Sequence, residues 1–92
     1  MAKVLIVDDS PAQVLKLSTL IESWGHCAIS AENGDQALQT AREENPDVIL
    51  MDVSMPGIGG VEACRRILQR DSGQKIIVLT IHNEQTFPKR ML

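Results

Sequence analysis

The sequence predicts an α/β fold, a doubly wound parallel sheet in a single domain spanning residues 1–92. Three observations carry that expectation. Short aliphatic runs recur four times, at Val4–Val7, His26–Ala31, Asp47–Asp52 and Lys75–Thr80, and stretches with helical periodicity lie between them. Most of the runs lack polar alternation, which suits strands covered on both faces. Each strand passes to its helix through a short loop, as right-handed βαβ crossovers allow.

Val4-Leu5-Ile6-Val7 is rich in β-branched residues and is closed by Asp8-Asp9. Ser10 then offers a helix cap and Pro11 a first helical residue, after which Val14, Leu17, Ile21 and Trp24 recur on one face until Gly25. His26 to Ala31 forms a shorter, less apolar second strand. Glu32-Asn33-Gly34 turns the chain into a helix carrying Ala37, Leu38 and Ala41, and Asn45-Pro46 ends it. Asp47-Val48-Ile49-Leu50-Met51-Asp52 repeats the first pattern, an aliphatic run with an acid at its carboxyl end. A loop from Val53 to Gly60 holds Pro56 and three glycines, read as turn glycines. Val61, Cys64, Ile67 and Leu68 mark a third amphipathic helix, stopped by Asp71-Ser72-Gly73. Lys75 to Thr80 is a fourth buried strand, and Pro88 opens a fourth helix at the end of the chain.

With 92 residues, the chain can bury only about 60–65% of its unfolded surface, so nearly every apolar side chain belongs to one core. A 43% hydrophobic and 23% charged composition excludes collagenous and disordered classes. The net charge of −3 and the two aromatic residues, Trp24 and Phe87, leave no basic footprint or stacking platform for nucleic acid, nor a patch for anionic lipid. No run approaches the ~20 apolar residues of a membrane span, and the start of the chain lacks a signal-peptide pattern, so a cytoplasmic protein is expected. Cys27 and Cys64 share no metal-ligand spacing with each other or with His26 and His82, and read as reduced core thiols.

In a doubly wound sheet, ligands sit outside the carboxyl ends of the strands, where strand order reverses. Asp8, Asp9, Asp52 and Thr80 all fall at that edge. A single aspartate at a strand end is commonly a turn former or a helix cap. Three carboxylates delivered by two strands repel one another and call for a hard cation; oxygen ligands without a nearby thiol or imidazole favour Mg²⁺. Phosphoryl transfer is then the natural chemistry, with Asp52 as a nucleophile forming an acyl phosphate and Thr80 donating a hydroxyl to the phosphoryl oxygens.

Val7-Asp8-Asp9-Ser10, the strand ending in Met51-Asp52, the following Met55-Pro56-Gly57 and the Leu79-Thr80 strand end together resemble the receiver domain of bacterial two-component response regulators. The resemblance runs through the whole chain and implies a flavodoxin-like sheet. It further implies that Asp52 is the phosphoacceptor and that Asp8 and Asp9 are the acidic pair holding Mg²⁺. Ser54 would supply a backbone carbonyl to the metal, and Thr80 the switch hydroxyl. The first half is similar to stand-alone chemotaxis and twitching-motility receivers, whereas Met51 to Gly60 and Leu79 to Leu92 look more like receivers of helix-turn-helix transcription regulators. The implied partners are a histidine kinase or phosphotransfer protein and a downstream protein or output domain, in a signalling role and not as an enzyme.

A full receiver continues into a fifth strand, ending in a phosphoryl-pairing lysine, and a fifth helix. Neither is present, and Lys89 does not match that lysine, because it follows Pro88 at a helix start. The fourth strand then becomes an exposed apolar edge, so either the chain is a fragment or copies of it associate to cover that edge. Two other functions remain open on the residues alone. One is a Mg²⁺-dependent aspartyl phosphohydrolase, whose usual pattern has a second acid two residues after a strand-one nucleophile, unlike Asp8-Asp9. The other is an oligomerisation module or pseudo-receiver that no longer switches.

Overall fold

The computed structural model describes residues 1–53 and 59–79. Strands and helices alternate among them as β1 (Lys3–Val7), α1 (Pro11–Ser23), β2 (Cys27–Ala31), α2 (Gly34–Glu44), β3 (Val48–Asp52), α3 (Gly59–Arg70) and β4 (Lys75–Leu79). The strands pair in parallel, as the βα alternation implied, in the order β2-β1-β3-β4. Chain order reverses between β1 and its neighbours β2 and β3, which makes the ends of β1 and β3 the switch point of the sheet.

Because successive side chains in a strand point to opposite faces, unbroken aliphatic runs supply two cores at once. Leu5 and Val7 of β1 and Ile49 and Met51 of β3 pack with Ala37 and Ala41 of α2 and Ala63 and Ile67 of α3. Val4 and Ile6 turn the other way and meet Ile21 of α1, with Val14, Leu17, Val48 and Leu50 around them. Leu5, Ile6, Ile49 and Met51 are wholly buried, and each contributes about 1.5–3 kcal/mol relative to exposure. β1 and β3 are thereby held from both sides, and their carboxyl ends are fixed.

Local signals set the helix starts. Ser10 is extended (φ −99°, ψ 111°), and its Oγ accepts the Gln13 N–H at 3.3 Å, with Pro11 in the first turn. Asn33 does the same for α2, accepting from Gln36 N–H at 2.9 Å. Asn45, in the left-handed region at φ 48°, closes α2 with its N–H donated to the Ala41 carbonyl.

Four expectations are corrected. Trp24 lies outside the core face of α1 and is 65% exposed: it is the C-cap, where the backbone has left helical geometry and the periodicity that aligned it with Ile21 no longer applies. α3 begins at Gly59 instead of after Gly60, and its buried face is Gly60, Ala63 and Ile67, while Val61 and Leu68 are exposed. Small residues form that face because α3 packs closely, a contact that a reading weighted toward large apolar side chains overlooks. The apolar run of β4 alone reads as a buried strand, but Ile77 and Val78 are 52% and 51% exposed, since among the described residues β4 pairs only with β3; the expected apolar edge is the reading that holds. Cys27 and Cys64 are free thiols as expected, but both are only partly buried. The predicted loop segment 54–58, the Thr80 strand end and the helix opened by Pro88 lie outside the described residues.

Candidate functional site

The carboxyl end of β1 places Asp8 directly after the Val7–Met51 pair, and β3 ends one residue beyond that pair at Asp52. Asp8 is anchored twice. Its N–H donates to the Ala31 carbonyl of β2 at 3.1 Å, and its Oδ1 accepts the Ser10 N–H at 2.9 Å. The same turn that caps α1 thus orients the first acid of the site. Asp9 follows on the exposed side of the turn, whereas Asp8 and Asp52 are only 3% and 4% exposed.

Carboxylate oxygens of Asp8, Asp9 and Asp52 all lie within 4.8 Å of one another. Burial pushes the Asp8 carboxyl above its ordinary range; the Ser10 amide opposes this, and the neighbouring Asp52 and Asp9 charges add to it. Among the described residues, Asp8 Oδ2 is buried with no hydrogen-bond partner. An orphaned, buried anionic oxygen facing two further carboxylates is the arrangement a divalent cation satisfies, and the all-oxygen donor set fits Mg²⁺. The structure therefore brings together the three acids singled out in the sequence. Ser54 and Thr80, the other two candidates, lie outside the described residues.

A cleft of about 350 Å³ opens beside the acids, between the first half of α1 and the end of β2, lined in part by Asp9, Val14, Leu15 and Glu32. Cys64 stands away from this rim, packed against the α2–α3 core, and burial pushes its thiol up, which suppresses the reactive thiolate.

Gly60 was missed as anything but a turn residue. It lies in the first turn of α3, against the backbone of Asp52 and Val53. The available signal was a glycine adjoining a helical pattern, where it costs about 1 kcal/mol against alanine and so calls for a packing reason.

Residues 4–92 match the response regulator receiver domain. The chain belongs to that family. It is 42% identical to the protein PilH of Pseudomonas aeruginosa over 88 residues, covering 94% of this chain and 73% of PilH. It is 39% identical to the response regulator GacA of Pseudomonas syringae, covering all of this chain but only 44% of that protein. Among solved structures, TrrA of Thermotoga maritima in complex with Mg²⁺-BeF superposes with a TM-score of 0.84 at 36% identity, over 87% of this chain and 70% of that one. TrrA bound to the histidine kinase ThkA gives the same TM-score at 33% identity, over 96% and 76%. The Vibrio cholerae chemotaxis protein CheY4 also matches at 0.84, with 32% identity over 91% and 72%. The fold is thus the flavodoxin-like receiver fold, and the role is that of a two-component signalling domain. No helix among the described residues is long and apolar enough to cross a membrane.

Proposed function

We propose that Asp52 accepts a phosphoryl group from a partner histidine kinase or phosphotransfer protein in a Mg²⁺-dependent reaction, and that the change of charge there switches binding to a downstream protein or output domain. The observation that carries this reading is the convergence of Asp8, Asp9 and Asp52 on one rim, with a buried oxygen of Asp8 that has no partner among the described residues.

A carboxylate oxygen of Asp52 attacks the phosphorus of a phosphohistidine in line. The new P–O bond forms as the P–N bond breaks, the imidazole leaving with the electron pair and taking up a proton. Asp8 and Asp9, with Asp52, would hold Mg²⁺, which when bound neutralises the negative charge that this transfer gathers. Burial of Asp8 and Asp52 keeps the local dielectric low, so those electrostatic interactions are strong. The Ser54 carbonyl is proposed to complete the metal shell and the Thr80 hydroxyl to bind a phosphoryl oxygen. TrrA's occurrence in complexes with Mg²⁺-BeF and with its kinase supports the same chemistry for this chain.

Incubation with acetyl phosphate and Mg²⁺, followed by intact-mass spectrometry, tests the reading. One added phosphoryl group is expected, absent from Asp52→Ala and absent with EDTA. Equal labelling of wild type and Asp52→Ala would move the site elsewhere, and multiple turnover of a phosphomonoester would point instead to a hydrolase.

A further inference from the structure

We propose that Gly60 is a positioning residue for Asp52, its missing side chain letting the first turn of α3 rest on the backbone that carries the site's nucleophile. A β-carbon at residue 60 would stand 2.6 Å from the Asp52 carbonyl oxygen, 2.6 Å from Val53 Cα and 3.0 Å from Val53 Cγ1. Two of these three atoms are backbone, so no rotamer change relieves the clash. Helix propensity favours alanine over glycine here, so any loss on substitution comes from that contact.

Neither side of the contact can give way cheaply. Asp52 is in register with Leu79 of β4, and the Val53 N–H donates to the Leu79 carbonyl at 3.3 Å, which pins the end of β3. α3 is held by Ala63 and Ile67, both buried in the core shared with β3 and α2. The neighbouring Gly59 differs: its φ of 76° requires glycine for conformation, but a side chain there would meet nothing within 4 Å. Space, and not conformation, is what residue 60 supplies. A methyl group at that position displaces either the α3 start or the Asp52–Val53 peptide, and with it the Asp52 carboxylate relative to Asp8.

This inference rests on Asp52 being the phosphoacceptor, so its test separates the two. Gly60→Ala is compared with wild type and with Ala63→Gly, which weakens the same helix without adding an atom near Asp52. Each is measured at a temperature where circular dichroism shows it folded. Acetyl phosphate labelling of Gly60→Ala should slow about 10- to 100-fold, the scale of an ångström-sized misplacement. Its Mg²⁺ affinity by titration calorimetry should fall several-fold, while Ala63→Gly keeps both within about twofold of wild type. Gly60→Ala that labels and binds Mg²⁺ like Ala63→Gly would overturn the proposal. Should Gly60→Ala fail to fold, Val53→Leu crowds the same contact more gently, and unchanged labelling and Mg²⁺ affinity in that variant would overturn it equally. A wild type that takes no label removes the phosphoacceptor reading alone, and the Mg²⁺ affinities still decide the positioning role.

Discussion

Asp8 and Asp52 close adjacent parallel strands one step beyond the Val7–Met51 pair, two buried carboxylates side by side at the switch point of the sheet. Like charges so placed oppose folding, and the fold tolerates them because β1 and β3 are clamped by apolar packing on both faces. The site therefore carries a stability cost that a bound cation would offset.

Asp8→Asn should stabilise the metal-free protein. Burial raises the Asp8 carboxyl above its ordinary 3.8, so the folded state holds a proton more readily than the unfolded chain. Metal-free stability accordingly declines as pH rises from about 4 through the folded value. Removing the charge is worth on the order of 1 kcal/mol, or a rise of about 4–8 °C in Tm for a domain of this size. Thermal melts in EDTA at neutral pH should show that rise. Added Mg²⁺ should raise the Tm of wild type and leave that of Asp8→Asn nearly unchanged; a lower Tm for Asp8→Asn in EDTA would contradict the assignment of strain to this pair.

Asp9→Asn should separate metal binding from stability. Asp9 is exposed, so the substitution should leave the EDTA melting temperature within about 2 °C of wild type, as surface changes usually do. Its carboxylate nevertheless reaches the other two acids, and Mg²⁺ affinity should drop about tenfold or more. Backbone NMR shifts followed through a Mg²⁺ titration measure this directly, and an unchanged affinity would remove Asp9 from the metal site.

Acid stability should depend on Glu62 at the start of α3. Hydrogen bonds from Arg65 (2.6 Å to Nη2) and Arg66 (2.8 Å to Nε) hold its carboxyl down to about 2. A depressed carboxyl contributes stability above its ordinary 4.5, and that contribution is lost as pH falls through about 2. The group is open to solvent, so the effect is small and salt-sensitive. Urea melts of wild type and Glu62→Gln should differ in favour of wild type at neutral pH and low salt. The difference should shrink toward pH 2 and in 1 M NaCl, and a pH-independent difference would assign it to packing instead.

The 92-residue chain should self-associate through β4. Ile77 and Val78 are each about half exposed on a strand that, among the described residues, pairs on one side only, and such edges recruit further strands. Sedimentation velocity should show oligomers growing with concentration, and Tm should rise in parallel. Val78→Lys should weaken the association. A well-folded monomer with a concentration-independent Tm would refute edge pairing.

By itself, the sequence determined the α/β alternation, the cap at Ser10, the turn at Glu32-Asn33-Gly34 and the three acids, because unbroken aliphatic runs, capping and turn residues and acids at strand ends are local signals. The sheet order and the adjacency of Asp8 to Asp52 needed strand pairing between residues more than 40 positions apart, which periodicity does not encode. Trp24 was misplaced because its helical phase continued past the point where the backbone left the helix. The buried face of α3 escaped for a different reason: Gly60 and Ala63 carry little apolar bulk, and their value lies in what they allow to come close. That nearness of α3 to Asp52, like the burial that raises the Asp8 carboxyl, was decided only by tertiary packing, since steric exclusion and desolvation depend on neighbours distant in sequence.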